Sequence, residues 1–259
     1  IKSAVIFAGL NSNGITNILE QKKSRDHTEN LLKDNSQSII IKNGVKKKIV
    51  VIGKKNLKPI YTEIPGDVSS SAFFSALTIM SKNSQIKIKN VGLNPTRTGF
   101  YQLLKKVNAN IKFYNLYKKN DELRADILVK SSKVRPLIAK SEYYVNSTDE
   151  YPILFVIAAL TKGVSIFKGI SDLKNKESDR TKEMQKVLEQ VGINSTASKG
   201  NIKIFGKGMF DASDKKIYVP NLGDHRICMA TFVLALLTGA KAKIKNFNTV
   251  NSSSPSFLK

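Results

Sequence analysis

Apolar residues run without a charged interruption in four places along the chain, and polar or charged residues stand ahead of each run. The runs are Ala4 to Leu10, Ala72 to Met80 after Ser69-Ser70-Ser71, Ile153 to Leu160 after Asp149-Glu150, and Ile227 to Leu237 after Asp224-His225-Arg226. Each reads as a helix with no polar face, and so as one buried inside its module. A turn and a short strand ending near Asn or Gly follow each run: Ile15 to Glu20, Ile86 to Asn90, Val164 to Phe167, and Ala242 to Asn246. Alternation is clean at Ile86 and Ile88, and Ile204-Phe205 is consistent with a further strand.

A second helix is expected after each strand, opening on Ser, Thr or Arg. Two of these are amphipathic, through Phe100, Leu103, Leu104 and Val107 and through Met184, Val187, Leu188 and Val191, with stop residues at Asn108 and Gly192. Ile49 to Ile52 and Ile127 to Val129 fill the gaps as strands. The unit recurs about every 70–80 residues, which implies βαβ-rich modules and an α/β (α+β) chain. A Pro65-Gly66 break within Thr62 to Asp67 divides the chain into residues 1–64 and 65–259.

Composition narrows the class. With 259 residues, 41% of them hydrophobic, the chain can bury one large core or two smaller ones. The single cysteine, Cys228, excludes an internal disulfide and is expected to be core; it fits a reducing cytoplasm. Two histidines and one cysteine offer no metal cluster. The apolar runs are too short to cross a bilayer, and no signal peptide follows Ile1, which is not Met, so the start reads as incomplete. The net charge of +23 raises a polyanion-binding module as one reading. The lysines are scattered, however, with only Lys46-Lys47-Lys48 and Lys54-Lys55 approaching a run and no interleaved aromatics. A general positive field that draws small anions fits better than nucleic acid.

The charged residues concentrate where helices begin, where free N–H groups and the helix dipole favour anions. Arginine in Ser24-Arg25-Asp26-His27 opposes the dipole unless an anion sits there, a role Arg25 and the Ser24 hydroxyl could share; the alternative is a surface bridge to Asp26. Asp149 reads either as an N-cap ahead of Pro152 or as a carboxylate at the rim of a dry helix, its pKa raised to suit a base. Lys176 and Arg180, four apart, would repel on a helix unless an anion lay between them. Ser178 and Asp179 supply cap chemistry there, leaving Glu177 free for proton transfer. Asp224 caps the last apolar helix, leaves Arg226 pointing out of its start, and stands beside a structural His225. Ser69-Ser70-Ser71 and Thr96-Arg97-Thr98-Gly99 read first as caps, with Arg97 as an interdomain salt-bridge partner and Asp67 at a hinge.

These segments, in this order, resemble the 5-enolpyruvylshikimate-3-phosphate synthases of the enolpyruvyl transferase family. The likeness rests on Lys2-Ser3-Ala4 with Ala8-Gly9-Leu10, Ser24 to Glu29, Pro65 to Ser70, Asn94 to Gly99, Asp149-Glu150-Tyr151-Pro152, Lys176 to Arg180, and Asp224-His225-Arg226. It implies a two-domain inside-out α/β barrel of repeated βαβαββ units that closes over substrate. It further implies transfer of the enolpyruvyl group of phosphoenolpyruvate to the 5-hydroxyl of shikimate 3-phosphate by a cytoplasmic monomer that needs neither cofactor nor metal. By the same likeness, Asp149, Lys176 and Glu177 are catalytic. Ser24 and Arg25 hold the shikimate phosphate, Asp149 and Lys176 also touch substrate, and Arg180 and Arg226 hold phosphoenolpyruvate. Ser252 stands where the family often has Lys or Thr, and Ser254-Pro255 where Phe-Pro is usual. The chain reads as about three-fifths of such an enzyme. A UDP-N-acetylglucosamine enolpyruvyl transferase is the nearest alternative, disfavoured by the Lys-Glu-Ser-Asp-Arg and Asp-His-Arg motifs.

Overall fold

The computed structural model describes residues 1–21, 23–44 and 46–258. It builds the chain from four successive copies of one plan. The first is α1 (Lys2–Asn11), β1 (Ile15–Glu20), α2 (His27–Leu32), β2 (Ile39–Lys42) and β3 (Lys47–Ile52). The second is α3 (Val68–Met80), β4 (Gln85–Gly92), α4 (Gly99–Lys106), β5 (Asn110–Lys119) and β6 (Glu122–Lys130), with a 3-10 turn over Pro95–Arg97 before α4. The third opens on β7 (Ile138–Ala139) and α5 (Glu142–Ser147). It continues through α6 (Tyr151–Ala159), β8 (Gly163–Phe167), a 3-10 turn (Ser171–Asn175), α7 (Arg180–Gln190), β9 (Ser195–Ser198) and β10 (Asn201–Gly206). The fourth is β11 (Lys216–Val219), α8 (His225–Thr238), β12 (Lys241–Ile244) and a 3-10 turn over Phe247–Ser252.

Within the first three copies the last strand lies between the other two and pairs antiparallel with both, giving the orders β1-β3-β2, β4-β6-β5 and β8-β10-β9. A strand that precedes the apolar helix runs parallel to the strand that follows it, as β7 beside β8 and β11 beside β12. In the second copy this strand shrinks to one parallel bridge, Gly66 to Val91. The same hydrogen bond closes each of the three units: the N–H groups of Lys54, Ser132 and Lys207, just past the last strand, donate to the carbonyls of Leu10, Ile79 and Ala159 at the ends of the apolar helices. Close approach of strand to helix explains two glycines. A Cβ on Gly53 would lie 1.8 Å from the Ser12 carbonyl oxygen, and one on Gly206 would lie 2.0 Å from that of Thr161.

The amphipathic helices stop alike. Asn108 and Gly192 take left-handed φ values of 72° and 77°, and Ala109 and Ile193 donate back to Leu104 and Leu188, a closure that ends α4 and α7 with their carbonyls satisfied. Buried hydrophobic residues form two clusters. A small one joins Ile6, Leu10, Leu32, Ile39, Ile49 and Val51. A large one extends from Val68 to Phe257 around α3, α6 and α8, which pack on one another. Every residue of α6 is buried, which is why its sequence has no polar side. Among the described residues, no helix is long and apolar enough to cross a membrane.

Candidate active site

The three packed apolar helices each begin at an acidic residue. Asp67 stands at the N-cap of α3, Glu150 at that of α6 and Asp224 at that of α8. Asp67 and Asp224 accept backbone N–H groups of their helices, from Ser70 and from Arg226 at 2.9 Å each. The cap of α3 is therefore Asp67, and the serines after it lie within the helix. Asn94 in turn caps the 3-10 turn at Pro95, accepting from the Thr96 N–H.

Arginines meet these acids. Arg180, at the first position of α7, is 1% exposed. Its Nε donates to Asp224 Oδ2 at 2.9 Å, its Nη2 donates to Glu177 Oε2 at 2.5 Å, and its Nη1 lies 3.6 Å from Asp149 Oδ1. Ser178 also donates to Asp224, at 2.9 Å. The other oxygen of Asp149 accepts from Arg25 Nη2 at 2.6 Å, a bond from the loop before α2 to the loop before α6, 124 residues apart. Burial alone would raise the Asp149 carboxyl, but Arg25, with Arg226 and Arg180 behind it, reverses this and holds it at about 2. Arg226 is 6% exposed with its guanidinium 5.8 Å from the centre of the Phe73 ring. Among the described residues, Arg226 Nε and Nη1 and Arg180 Nη1 are buried without a hydrogen-bond acceptor.

A cavity of about 430 Å³ lies beside this cluster, and Ser24, Arg25, Thr148, Asp149 and Lys176 line it along with Lys2. Glu20 holds two of these lining residues: it accepts from the Ser24 N–H and hydroxyl and from Lys2 Nζ, at 3.0, 2.5 and 2.8 Å. Burial would raise the Glu20 carboxyl, but these bonds bring it below its usual value. Lys176 reaches Asp172 at 3.8 Å.

Several expectations change. Asp149 is neither the cap of α6 nor a carboxyl raised by burial; Glu150 takes the cap position, and it is Glu150 that burial pushes up, to about 7, against the Ser69 hydroxyl beside it. Lys176 and Arg180 do not share a helix, because the backbone is extended at Lys176 and α7 begins only at Arg180. Glu177 is held by Arg180 rather than free. Asp26 pairs with Asn94 at 2.8 Å instead of with Arg25. Arg97 bonds Asp67 and Ser69, at 2.5 and 2.8 Å, so its ion pair lies within residues 65–259. Arg226 is buried against Phe73 rather than pointing outward. Cys228 is buried, as expected, and burial pushes its thiol up to about 11. Glu150, Asp67 and Glu20 escaped notice as parts of the site. The signal for the first two was an acid one residue ahead of each of the three apolar helices.

A convergence of buried arginines and acids at three helix starts is an arrangement for holding and protonating small anions. The profile of the family described as EPSP synthase (3-phosphoshikimate 1-carboxyvinyltransferase) matches residues 1–259. A 3-phosphoshikimate 1-carboxyvinyltransferase of Petrotoga mobilis is 36% identical over 258 residues, covering 99% of this chain and 58% of that protein. One of Thermodesulfovibrio yellowstonii is also 36% identical, with 99% and 59% covered. A solved EPSP synthase from Acinetobacter baumannii superimposes with a TM-score of 0.86 at 31% identity, over 99% of this chain and 58% of that one. This chain thus spans somewhat under three-fifths of the length of these relatives, and its mixed α/β architecture is that of their two-domain inside-out fold. On the match of its whole length to the family profile, the chain belongs to the EPSP synthase family.

Proposed function

We propose that this chain supplies one wall and part of the other of an active site that transfers the enolpyruvyl group of phosphoenolpyruvate to the 5-hydroxyl of shikimate 3-phosphate, with release of phosphate. The observation that carries the reading is the pair of buried guanidiniums, Arg180 and Arg226, whose unpartnered N–H groups stand beside the Arg25–Asp149 bond. Buried donors without acceptors are costly, and an anionic substrate relieves that cost. Arg180 and Arg226 hold the carboxylate and phosphate of phosphoenolpyruvate. Ser24 and Arg25 hold the phosphate of the second substrate across the cavity, and Lys176 binds there as well.

In this reading the 5-hydroxyl oxygen attacks C2 of phosphoenolpyruvate, a proton is added to the C3 methylene, and a tetrahedral intermediate forms. Loss of inorganic phosphate and of a C3 proton then yields the enolpyruvyl ether. Asp149 orients the hydroxyl and accepts its proton, and Glu177 exchanges the methylene proton. Asp149, held at about 2 in the free protein, becomes a stronger base once substrate phosphate draws Arg25 away from it. Residues 1–64 and 65–259 act as two domains, and the enzyme works as a cytoplasmic monomer.

The test is phosphate release from the two substrates by the full-length product of the reading frame. Asp149→Asn is expected to lower the rate at least about 100-fold with folding retained by circular dichroism. A rate within a few-fold of the parent's would remove Asp149 from the chemistry.

A further inference from the structure

A second cavity, of about 290 Å³, reaches Asp67 and Arg97 but shares no lining residue with the cavity beside Arg25 and Asp149. Three separate pieces wall it: α2, through His27 and Leu31; the connecting segment, through Ile64 and Pro65; and the tip of the β5–β6 hairpin, through Glu122 and Arg124. Arg97 also lines it. Apolar side chains form much of the surface, with Val68 at the start of α3 among them.

Arg124 sets this cavity apart. It is 2% exposed, and its one hydrogen bond runs from Nη2 to the Glu63 carbonyl at 2.7 Å. Among the described residues, its Nε and Nη1 have no acceptor, and no carboxylate lies within ion-pair distance. The acids around it are already matched. Asp67 faces Arg97 at 2.5 Å and Glu63 faces Lys119 at 3.6 Å, while Glu122 is taken up by hydrogen bonds with His27, Asn30 and Asn94. Among the described residues, the Arg124 guanidinium is left without a carboxylate partner. Among the described residues, Arg97 Nε, on another lining residue, is also buried without an acceptor. A buried, unpaired guanidinium is a large local cost unless something anionic is bound.

We infer that this cavity is a binding site, distinct from the cavity lined by Ser24 and Arg25, for a small monocarboxylate with an apolar body. The two acceptor-less N–H positions of one guanidinium suit a single carboxylate, and the apolar walls suit a ring or branched chain. The three walls come from α2, from the connecting segment and from the β5–β6 hairpin, so a bound ligand braces the place where they meet. The inference stands independently of the substrates proposed above.

Calorimetric titration of the purified protein with benzoate, used as the probe, tests it. The expected result is saturable 1:1 binding that inorganic phosphate does not displace. Arg124→Met, which keeps the packing and removes the charge, weakens it at least about tenfold. Leu31→Trp, filling the cavity from its rim, also abolishes it, and keeps the test decisive should Arg124→Met fail to fold. Arg25→Ala leaves binding unchanged. The inference is overturned if benzoate does not bind saturably, or if binding survives Leu31→Trp or a folded Arg124→Met. Displacement by phosphate, or loss of binding in Arg25→Ala, would overturn it as well, because either places benzoate in the active-site cavity.

Discussion

The first and third copies of the repeat contain the same parts and use them differently. Both place the last strand in the middle of the sheet, both send an N–H back to the end of the apolar helix, and both need a glycine where strand and helix touch. Yet α6 is buried along its whole length, whereas α1 buries Ile6, Gly9 and Leu10 and leaves Val5 and Phe7 exposed at 39% and 49%. The unit is thus a local construction, set by turns, closures and strand pairing. The burial of its apolar helix is not local; α6 is covered because α3 and α8 pack against it.

The largest expected effect separates the two copies. Phe155→Ala in α6 should destabilise the protein by about 3–5 kcal/mol in urea unfolding, while Phe7→Ala in α1 should stay below about 1 kcal/mol. Comparable losses at the two sites would mean that α1 is as fully packed as α6 in solution. A smaller effect should unite the copies. Gly53→Ala and Gly206→Ala each drive a Cβ into a helix-end carbonyl and should each cost about 3 kcal/mol. A tolerated substitution at either would show that the closure is looser in that copy.

The smallest effect concerns two neighbouring carboxyls of opposite behaviour. Burial raises Glu150 from 4.5 to about 7, so its unfolded form ionises first. Its contribution is therefore fully present below pH 4.5 and lost as pH rises through about 7. Glu150→Gln should remove that decline and gain roughly 2 kcal/mol over the parent at pH 8, read from urea midpoints across pH 4–9. Asp149 is lowered from 3.8 to about 2, so its contribution is present above pH 3.8 and is lost as pH falls through about 2. An unchanged pH profile in Glu150→Gln would show that Glu150 is not the buried acid controlling it.

Much of this organisation could be read from the residues in order. The four apolar runs became α1, α3, α6 and α8, and strands and second helices followed them in the first three copies; in the fourth the expected second helix is a 3-10 turn over Phe247–Ser252. Asn108 and Gly192 stopped their helices because a left-handed residue is cheap for Asn and Gly and closes the last turn. The site was less legible. Ser24, Arg25, Asp149 and Lys176 do line one cavity, but Arg180 and Glu177 proved bound to each other, and Glu150 carried the raised pKa expected of Asp149. Whether a carboxyl is raised or lowered depends on how many guanidiniums approach it, and those come from elsewhere in the chain.

Sequence alone determined the repeat, the helix starts and the charged residues gathered at them, because each is a property of a few neighbouring residues. Tertiary structure decided which charges meet. Arg25 reaches Asp149 from 124 residues away, Arg180 reaches Asp224 from 44 away, and Arg124 is left buried without an ion-pair partner among the described residues. A local pattern fixes which groups stand at a helix end; only the packing of one helix end against another fixes their distances, and electrostatic energy follows distance and burial.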